Sequence, residues 1–593
     1  MQWSGQEMWC ALGEIVRVTV LKAIPEDLGL GAAWNSLVLG MENPEVFFTH
    51  QWALAVSRGF RQNQCPMLFL IYDSDQLAGV AALVVDSREP RAASFLASST
   101  ADYCDIVSAP ENRGAVLDAL LVELQDLGFR DLVFASIPST SATLTHLDEA
   151  AGTSGFYVAT HASSECGIVE LGDAQQRKVL VQAVSAKNRE KRGLKKLSAV
   201  GPVSVVQVAE PRQIQDALEA IVSAQVSRFL ASGRVSPLLD PERRAFLTEL
   251  GDLLAQAGWL KISQLAVNGR PIAWNYGFCF EGSWFWYLPS FRIEYEHTSP
   301  GSCLLRLLVE EACADSTLRW LDLGLGDESY KVRFANNVRQ TRYVQLSRSW
   351  HKHVVKAGRQ KLAVALALSP NLEGKIREAR QLYRSIAGRV HDTGMVPTMQ
   401  HAMRRAIRLF ASRSEVLIFQ ASGKETGDGT ADRVVPMNTE HMVRASIRND
   451  ADSDTLAYLM RCAKRMSHPG VSGFVLQDEA DRSTNFLWIA NYDGFHISEI
   501  DHTLEALSQD AAMIFDCWTP AADRGHGYYA IAVRSAAASL RREGKTAWIF
   551  SDAKNASSVH GILKAGFAYR FSLVRRSWFR RSTVVRCETT TAI

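Results

Sequence analysis

The residue types best suited to chemistry stand at a few places along the chain. One is Asp523-Arg524-Gly525-His526-Gly527-Tyr528-Tyr529. Ahead of it Ala512–Thr519 alternates as a strand, and Pro520 ends it because proline cannot donate to a ladder. Behind it Ala530, Val533, Ala537 and Leu540 recur on one helical face, with Gly544 as a stop signal. A strand, glycine loop and helix in that order suit an anion: glycines let the backbone come close, and unpaired N–H groups at the positive helix end face the ligand. A diphosphate fits such a loop, although Arg-Gly-x-Gly by itself equally describes a tight turn. Asp516, on the preceding strand, is placed to act as a base through water or simply to be solvated.

A second place is Ser299-Pro300-Gly301, an N-cap with proline at the first helical position, followed by Leu304, Leu305, Leu308 and Ala312 on an inward face. The chain then runs through a strand over Leu318–Leu323 into Asp322-Leu323-Gly324-Leu325-Gly326-Asp327-Glu328-Ser329-Tyr330-Lys331. Read without context, these residues make a capped helix and an Asp-stabilised turn with a surface Lys–Asp pair. Trp274 and Asn275, with Trp284 and Trp286 on the next strand, are placed either to wall an acceptor pocket or to pack in a core.

The elements that must position these residues alternate. Strand-like Val16–Val20, Leu68–Tyr72 and Val80–Val85, helical Arg113–Leu127 and strand-like Asp131–Ser136 argue α/β. A basic helical block covers Lys187–Lys196, and a second α/β set runs over Val203–Leu346. About 348–412 is helical and basic, either a solvated linker or a surface for acidic lipid or nucleic acid. The expected domains are therefore 1–180, 181–346, a basic helical linker at 347–431, and 432–593.

With 593 residues the chain exceeds what one core serves, and 47% hydrophobic and 22% charged residues place it among folded globular proteins. The +2 net charge lacks the surplus of a dedicated nucleic-acid binder, so no DNA partner is expected. Ten scattered cysteines, with no C-x-x-C and no zinc spacing, fit a reduced compartment and no metal. The first residues lack a signal-peptide pattern, and the apolar run 362–368 is too short to span a bilayer. A cytoplasmic protein that does not span the membrane is expected, with peripheral association through the basic linker.

After the helix at 530–540 come a strand at Thr546–Ser551, Asn555-Ala556-Ser557-Ser558, and Gly566-Phe567 opening a closing strand. This series resembles the GNAT N-acetyltransferase superfamily over about 512–575, and loosely over 432–511. The resemblance implies that Arg524, Gly525, His526, Gly527 and Tyr528 hold a CoA pyrophosphate, that Asn555 contacts the cofactor arm, and that the thioester lies beside Phe515–Trp518. It also expects a tyrosine where this chain has Ile562, leaving His526, His560 and Tyr529 as acids for the leaving thiolate.

Ser299-Pro300-Gly301 followed by D-x-G-x-G-D-x-x-Y-K-x-x-F resembles CelD/BcsL-type acetyltransferases, relatives of FemAB with a duplicated GNAT-like fold. With Asn43-Pro44, Phe47, Phe48, Trp52, Gly79, Asp102-Tyr103, Asp105 and the Lys187–Lys196 block, the likeness covers about 16–346. It implies a donor site at Ser299, Pro300 and Gly301, catalytic roles for Asp327, Tyr330 and Lys331 beside Asp516 in the C-terminal domain, and acceptor contacts from Asp102, Tyr103, Asp105, Trp274 and Asp322. The fold expected is thus α/β, tandem GNAT-like modules plus a C-terminal GNAT domain. The function expected is acyl transfer from acetyl-CoA or another acyl-CoA to a small-molecule or glycan acceptor, beside polysaccharide-synthesis machinery. An aminoacyl-tRNA-dependent peptidyl transferase and a non-catalytic acyl-CoA sensor are the competing readings.

Overall fold

Apolar runs with strand periodicity pair into two large sheets and one two-stranded ribbon in a computed structural model that describes residues 7–9, 15–350 and 411–588, apart from 63, 87–88, 209, 327, 423–433, 449–451, 467, 506–509 and 579–580. The basic segment 351–410 lies outside the described residues. Contacts divide the chain into two units, one within Met1–Gln225 and Asp240–Ala365, the other within Val226–Leu239 and Leu366–Ile593.

The first unit is built on β1 (Glu7–Trp9), β2 (Ile15–Leu21), β3 (Cys65–Asp73), β4 (Gln76–Val85), β5 (Ala92–Phe95), β6 (Val107–Ser108) and β7 (Asp131–Pro138). It continues with β8 (Tyr157–Glu170), β9 (Val203–Val208), β10 (Leu260–Val267), β11 (Arg270–Phe280), β12 (Ser283–Phe291), β13 (Trp320–Leu325) and β14 (Asn337–Ser347). All belong to one sheet, ordered β1-β2-β3-β4-β5-β7-β14-β8-β13-β12-β11-β10-β9, with β6 paired to β4. The expected boundary near 180 falls inside the helix Ala174–Ser185, and no break in the sheet accompanies it. The last strand, β14, instead lies between β7 and β8, while β8 pairs with β13 of the second half. The two halves therefore complete each other through β8 and β14 within one shared sheet.

The second unit contains β15 (Ala411–Ala421), β16 (Val434–Pro436), β17 (Val471–Gln477), β18 (Ser483–Asn491), β19 (His496–Ile497), β20 (His502–Thr503), β21 (Ala511–Trp518), β22 (Thr546–Asp552), β23 (Phe567–Trp578) and β24 (Arg581–Cys587). Its main sheet runs β16-β17-β18-β21-β22-β15-β23-β24. Residues 411–421, expected in the linker, form a central strand, antiparallel to both β22 and β23. Val416, Leu417, Ile418 and Phe419 are all buried, the continuous apolar run of a strand covered on both faces.

Three strand pairs are parallel, β5 with β7, β12 with β13, and β21 with β22, and each is bridged by a helix. The bridging helices are α1 (Arg113–Asp126), α3 (Pro300–Ala314) and α6 (Tyr528–Arg542); α2 (Asn188–Val200), α4 (Ser329–Phe334), α5 (Ser453–Arg465) and α7 (Ala556–Lys564) frame them. Leu304, Leu305, Leu308 and Ala312 of α3 enter one core with Trp284, Trp286, Leu321 and Leu323. Ala530, Val533, Ala537 and Leu540 of α6 enter another with Ile514 and Ile549. Among the described residues no helix is long and apolar enough to cross a membrane.

Candidate active site

Parallel pairing between β12 and β13 stops at Phe285 and Asp322, and the strands part beyond it. At that point β12 slips against β11, so that Trp286 and Tyr287 together face Gly277. A bulge of this kind bends a strand and frees backbone groups from the ladder, which is why bulges gather beside active sites. The second unit repeats the device: pairing of β21 with β22 stops at Ile514, and Asp516 and Cys517 together oppose Leu487 of β18. Asp516 sits at φ 47°, a left-handed conformation that aspartate tolerates better than most residues.

Beyond the bulge of β12 the chain reaches the start of α3. Ser299 has φ 55° and does not cap the helix with its side chain; its hydroxyl accepts a 2.9 Å hydrogen bond from Arg189 Nε. The basic block is helix α2, and its glycine explains how it docks: a Cβ on Gly193 would lie 2.2 Å from the Thr298 carbonyl oxygen. With α2 so close, Arg189, Arg192 and Lys196, which share one helical face, line a cavity of about 400 Å³ with Asn188, His297, Thr298 and Ser299. Three cations and a helix N-terminus around one cavity make a site for a multiply charged anion. Pro300 is buried, and Gly301 lies beside the Phe291 ring.

The loop before α6 has the same logic with different parts. Gly525 and Gly527 take φ 86° and 81°, and no atom lies within 4 Å of where their side chains would be. Gly527 starts α6 without a side-chain cap. Arg524 lies over the Trp518 ring at 5.1 Å and donates to the Thr519 carbonyl, His526 leans on the Asp523 carbonyl, and Tyr528 opens the helix. Asp523 is tied to Arg448.

Asn555, expected on the cofactor arm, uses its carboxamide oxygen to cap α7, accepting from Ser558 N–H at 3.1 Å. Ile562 is fully buried in the apolar core. Tyr529 lies nearby, its hydroxyl 2.9 Å from Ser558 Oγ, in space that a side chain on Gly561 would fill. Burial pushes the Tyr529 phenol above its ordinary range and keeps it protonated. Asp516 is ion-paired with Arg465 at 2.5 Å.

Among the described residues the first half has no such loop. Its α1 is entered through a turn at Pro110–Asn112 carrying Glu111, without glycine, and the Arg113 side chain is wholly buried there. Arg113 donates to Ser108 and Thr143 and lies 3.5 Å from Asp105. Asp105 in turn accepts from Ser141 and Thr143 hydroxyls at 2.5 and 2.6 Å and from the Ile106 N–H. Expected to touch an acceptor, Asp105 is occupied by this internal network.

At the seam between the halves, the remaining polar residues meet on the sheet face opposite α3. Tyr103 donates to Asp322 Oδ2 at 2.8 Å, and Gly324 N–H donates to Asp322 Oδ1 at 2.8 Å. Asp102 closes over Gly324, where a Cβ would stand 2.6 Å from its carboxylate. Arg339 lies against Glu45, 3.8 Å from Asp322, and over the Tyr103 ring. Burial raises the carboxyls of Glu45 and Asp322, with Arg339 opposing in both; burial, then the Asp322 charge, pushes Asp102 up to about 7.

Lys331 is buried, donating to the Leu325 carbonyl and pairing with Glu328 at 3.1 Å, so its ammonium ties α4 to the end of β13. Tyr330 accepts from Trp286 Nε1 at 3.2 Å. Trp274 is buried, with the Arg292 guanidinium over its ring. Asp327 lies outside the described residues.

Two members of this cluster, Glu45 and Arg339, were not singled out in the sequence. Glu45 follows Asn43-Pro44 in a segment noted for its aromatics, and Arg339 is one basic residue among several on β14. Their 294-residue separation carries no local pattern. No group of three or more metal-ligating side chains is placed to hold a metal among the described residues.

Residues 185–332 match the family model of the acetyltransferase (GNAT) domain. The match spans α2, the α3 start, the parting strands and Asp322, about a quarter of the chain. No curated protein matches the chain. Among solved structures, the C-terminal domain of a putative lysylphosphatidylglycerol synthetase from Agrobacterium fabrum is similar at 11% identity, covering 55% of this chain and 93% of that one with a TM-score of 0.37. FemX is similar at 9% identity over 53% and 95% of the two chains, TM-score 0.39. A tandem GNAT protein from the clavulanic acid biosynthesis pathway gives 12% identity over 56% and 98%, TM-score 0.33.

Proposed function

We propose that the protein transfers an acyl group from acetyl-CoA or another acyl-CoA, bound at the α2–α3 cavity, to an amine or hydroxyl of a sugar or nucleotide-sugar, in the manner of the CelD/BcsL-type enzymes it resembles. The carrying observation is the cavity, with Arg189, Arg192, Lys196 and the α3 N-terminus around one space. Acyl-CoA supplies an activated thioester. These cations and the first N–H groups of α3 hold the diphosphate, which fixes the pantetheine arm along the parting of β12 and β13. Backbone N–H groups freed at the Trp286–Tyr287 bulge stabilise the charge that develops on the carbonyl oxygen, and Asp102 faces the acceptor from the other side of the sheet, with Asp322 and Tyr103 buried behind it. In the second unit, the open loop Arg524–Tyr528 provides another donor site, with Tyr529 in place of the acid that Ile562 removes.

Thiol release from acetyl-CoA by the full chain, with amino sugars, nucleotide-sugars and alkyl amines as acceptors, tests this reading. Turnover with a sugar acceptor is expected. Turnover only with charged tRNA supports the peptidyl-transferase reading, and tight binding without thiol release from any acceptor supports the sensor reading.

A further inference from the structure

We propose that Asp102 is the general base of the transfer, taking the proton of the acceptor at the seam between the two halves; this rests on the acyltransferase reading of the β12–β13 parting. Asp322 marks the parting, since its pairing with Phe285 is the last parallel contact. Two residues further, Gly324 leaves the room that the Asp102 carboxylate occupies. Asp102 therefore stands at the mouth of the opening through which a thioester carbonyl would be attacked.

Its neighbours in the cluster are not equivalent to it. Asp322 and Glu45 are fully buried and engaged, by Tyr103 and Gly324 N–H in one case and by Arg339 in the other. Asp102 is the partly exposed residue of the three, and its carboxylate accepts from the Leu325 N–H. The ionisable groups facing it are Asp322 on β13, Glu328 and Lys331 around the following turn, Glu45, Tyr287, and the thiols of Cys104 and Cys166, with Arg339 beyond Asp322. Lys331 is the cation whose charge opposes the carboxylates at Asp102, and it is held by Glu328 and the Leu325 carbonyl. Carboxylates thus predominate around Asp102, and a proton affinity near neutrality is what a base working at neutral pH needs.

The step balances without another reactant. The acceptor nitrogen or oxygen bonds to the thioester carbonyl carbon while its proton passes to an Asp102 oxygen. The tetrahedral intermediate collapses with cleavage of the C–S bond, and CoA leaves as the thiolate. Asp102 gives its proton back to that thiolate through solvent.

The test follows thiol release from acetyl-CoA by the full chain across pH 5.5–9, with hydroxylamine as acceptor and rates divided by its free-base fraction. Wild type is expected to show an inflection near 7. Asp102→Asn is expected to lose roughly 100-fold or more in rate, together with the inflection, at unchanged acetyl-CoA affinity. Asp322→Asn removes a neighbouring negative charge, so its inflection should move to lower pH; a purely structural Asp102 predicts no such displacement. An Asp102→Asn rate and profile equal to wild type overturns the assignment while leaving the transferase reading intact. A wild type that binds acetyl-CoA but releases no thiol to hydroxylamine overturns both.

Discussion

At the residue scale, Gly193 and Asn555 separate packing from ligand contact. Gly193→Ala forces a Cβ to 2.2 Å from the Thr298 carbonyl, so α2 must move away from the start of α3. Overpacking of this kind costs about 1–3 kcal/mol, and because the cavity is formed by that approach, acetyl-CoA affinity should fall with it. Denaturant unfolding and calorimetry on the same variant measure both. Asn555→Ala removes the α7 cap and should cost about 1 kcal/mol in stability. Its acetyl-CoA affinity should stay unchanged, and a selective loss of affinity would return Asn555 to the cofactor arm. The residues legible in the sequence were those with a local reason: glycines with positive φ at 525 and 527, the basic face of α2, and Ser299-Pro300 at a helix start. Glu45 and Arg339 were not, since an ion pair between strand and loop so far apart in sequence depends on the folded sheet alone.

At the scale of elements, periodicity placed most strands and helices because burial on one face is a local requirement. Expected Leu68–Tyr72 is the middle of β3, and the helix expected after the glycine loop is α6 with its four inward residues in the core. Bulges left no such trace: nothing in Trp284-Phe285-Trp286-Tyr287 says that two residues face one across the sheet. The contrast among the three bridging helices gives a prediction. Arg113 plugs the entry to α1, so Arg113→Met should strand Asp105 in the interior and cost about 3–5 kcal/mol in stability. Acetyl-CoA affinity of the surviving folded protein should not change; a fall specific to affinity would assign the first half a donor site.

At the scale of the whole chain, the neighbours of each strand were the hidden part. Pairing partners are chosen by long-range closure, so neither the insertion of β14 between β7 and β8 nor that of β15 between β22 and β23 could be read from runs of apolar residues. The exchange has a consequence for dissection. A fragment of residues 1–180 lacks β14 and leaves β7 and β8 with open edges, so it should not give a cooperative unfolding transition alone. Co-expression with 181–350 should restore one, and a stable, monomeric 1–180 fragment would contradict the shared sheet.

The central claim, that the α2–α3 cavity holds the donor, is tested most directly by calorimetric titration of the full chain with acetyl-CoA in three forms: wild type, Arg192→Glu and Gly527→Glu. A carboxylate in either anion site repels the diphosphate. Two binding events are expected in wild type, with Arg192→Glu removing one and Gly527→Glu the other. Binding in Arg192→Glu that matches wild type in stoichiometry and affinity would contradict the account.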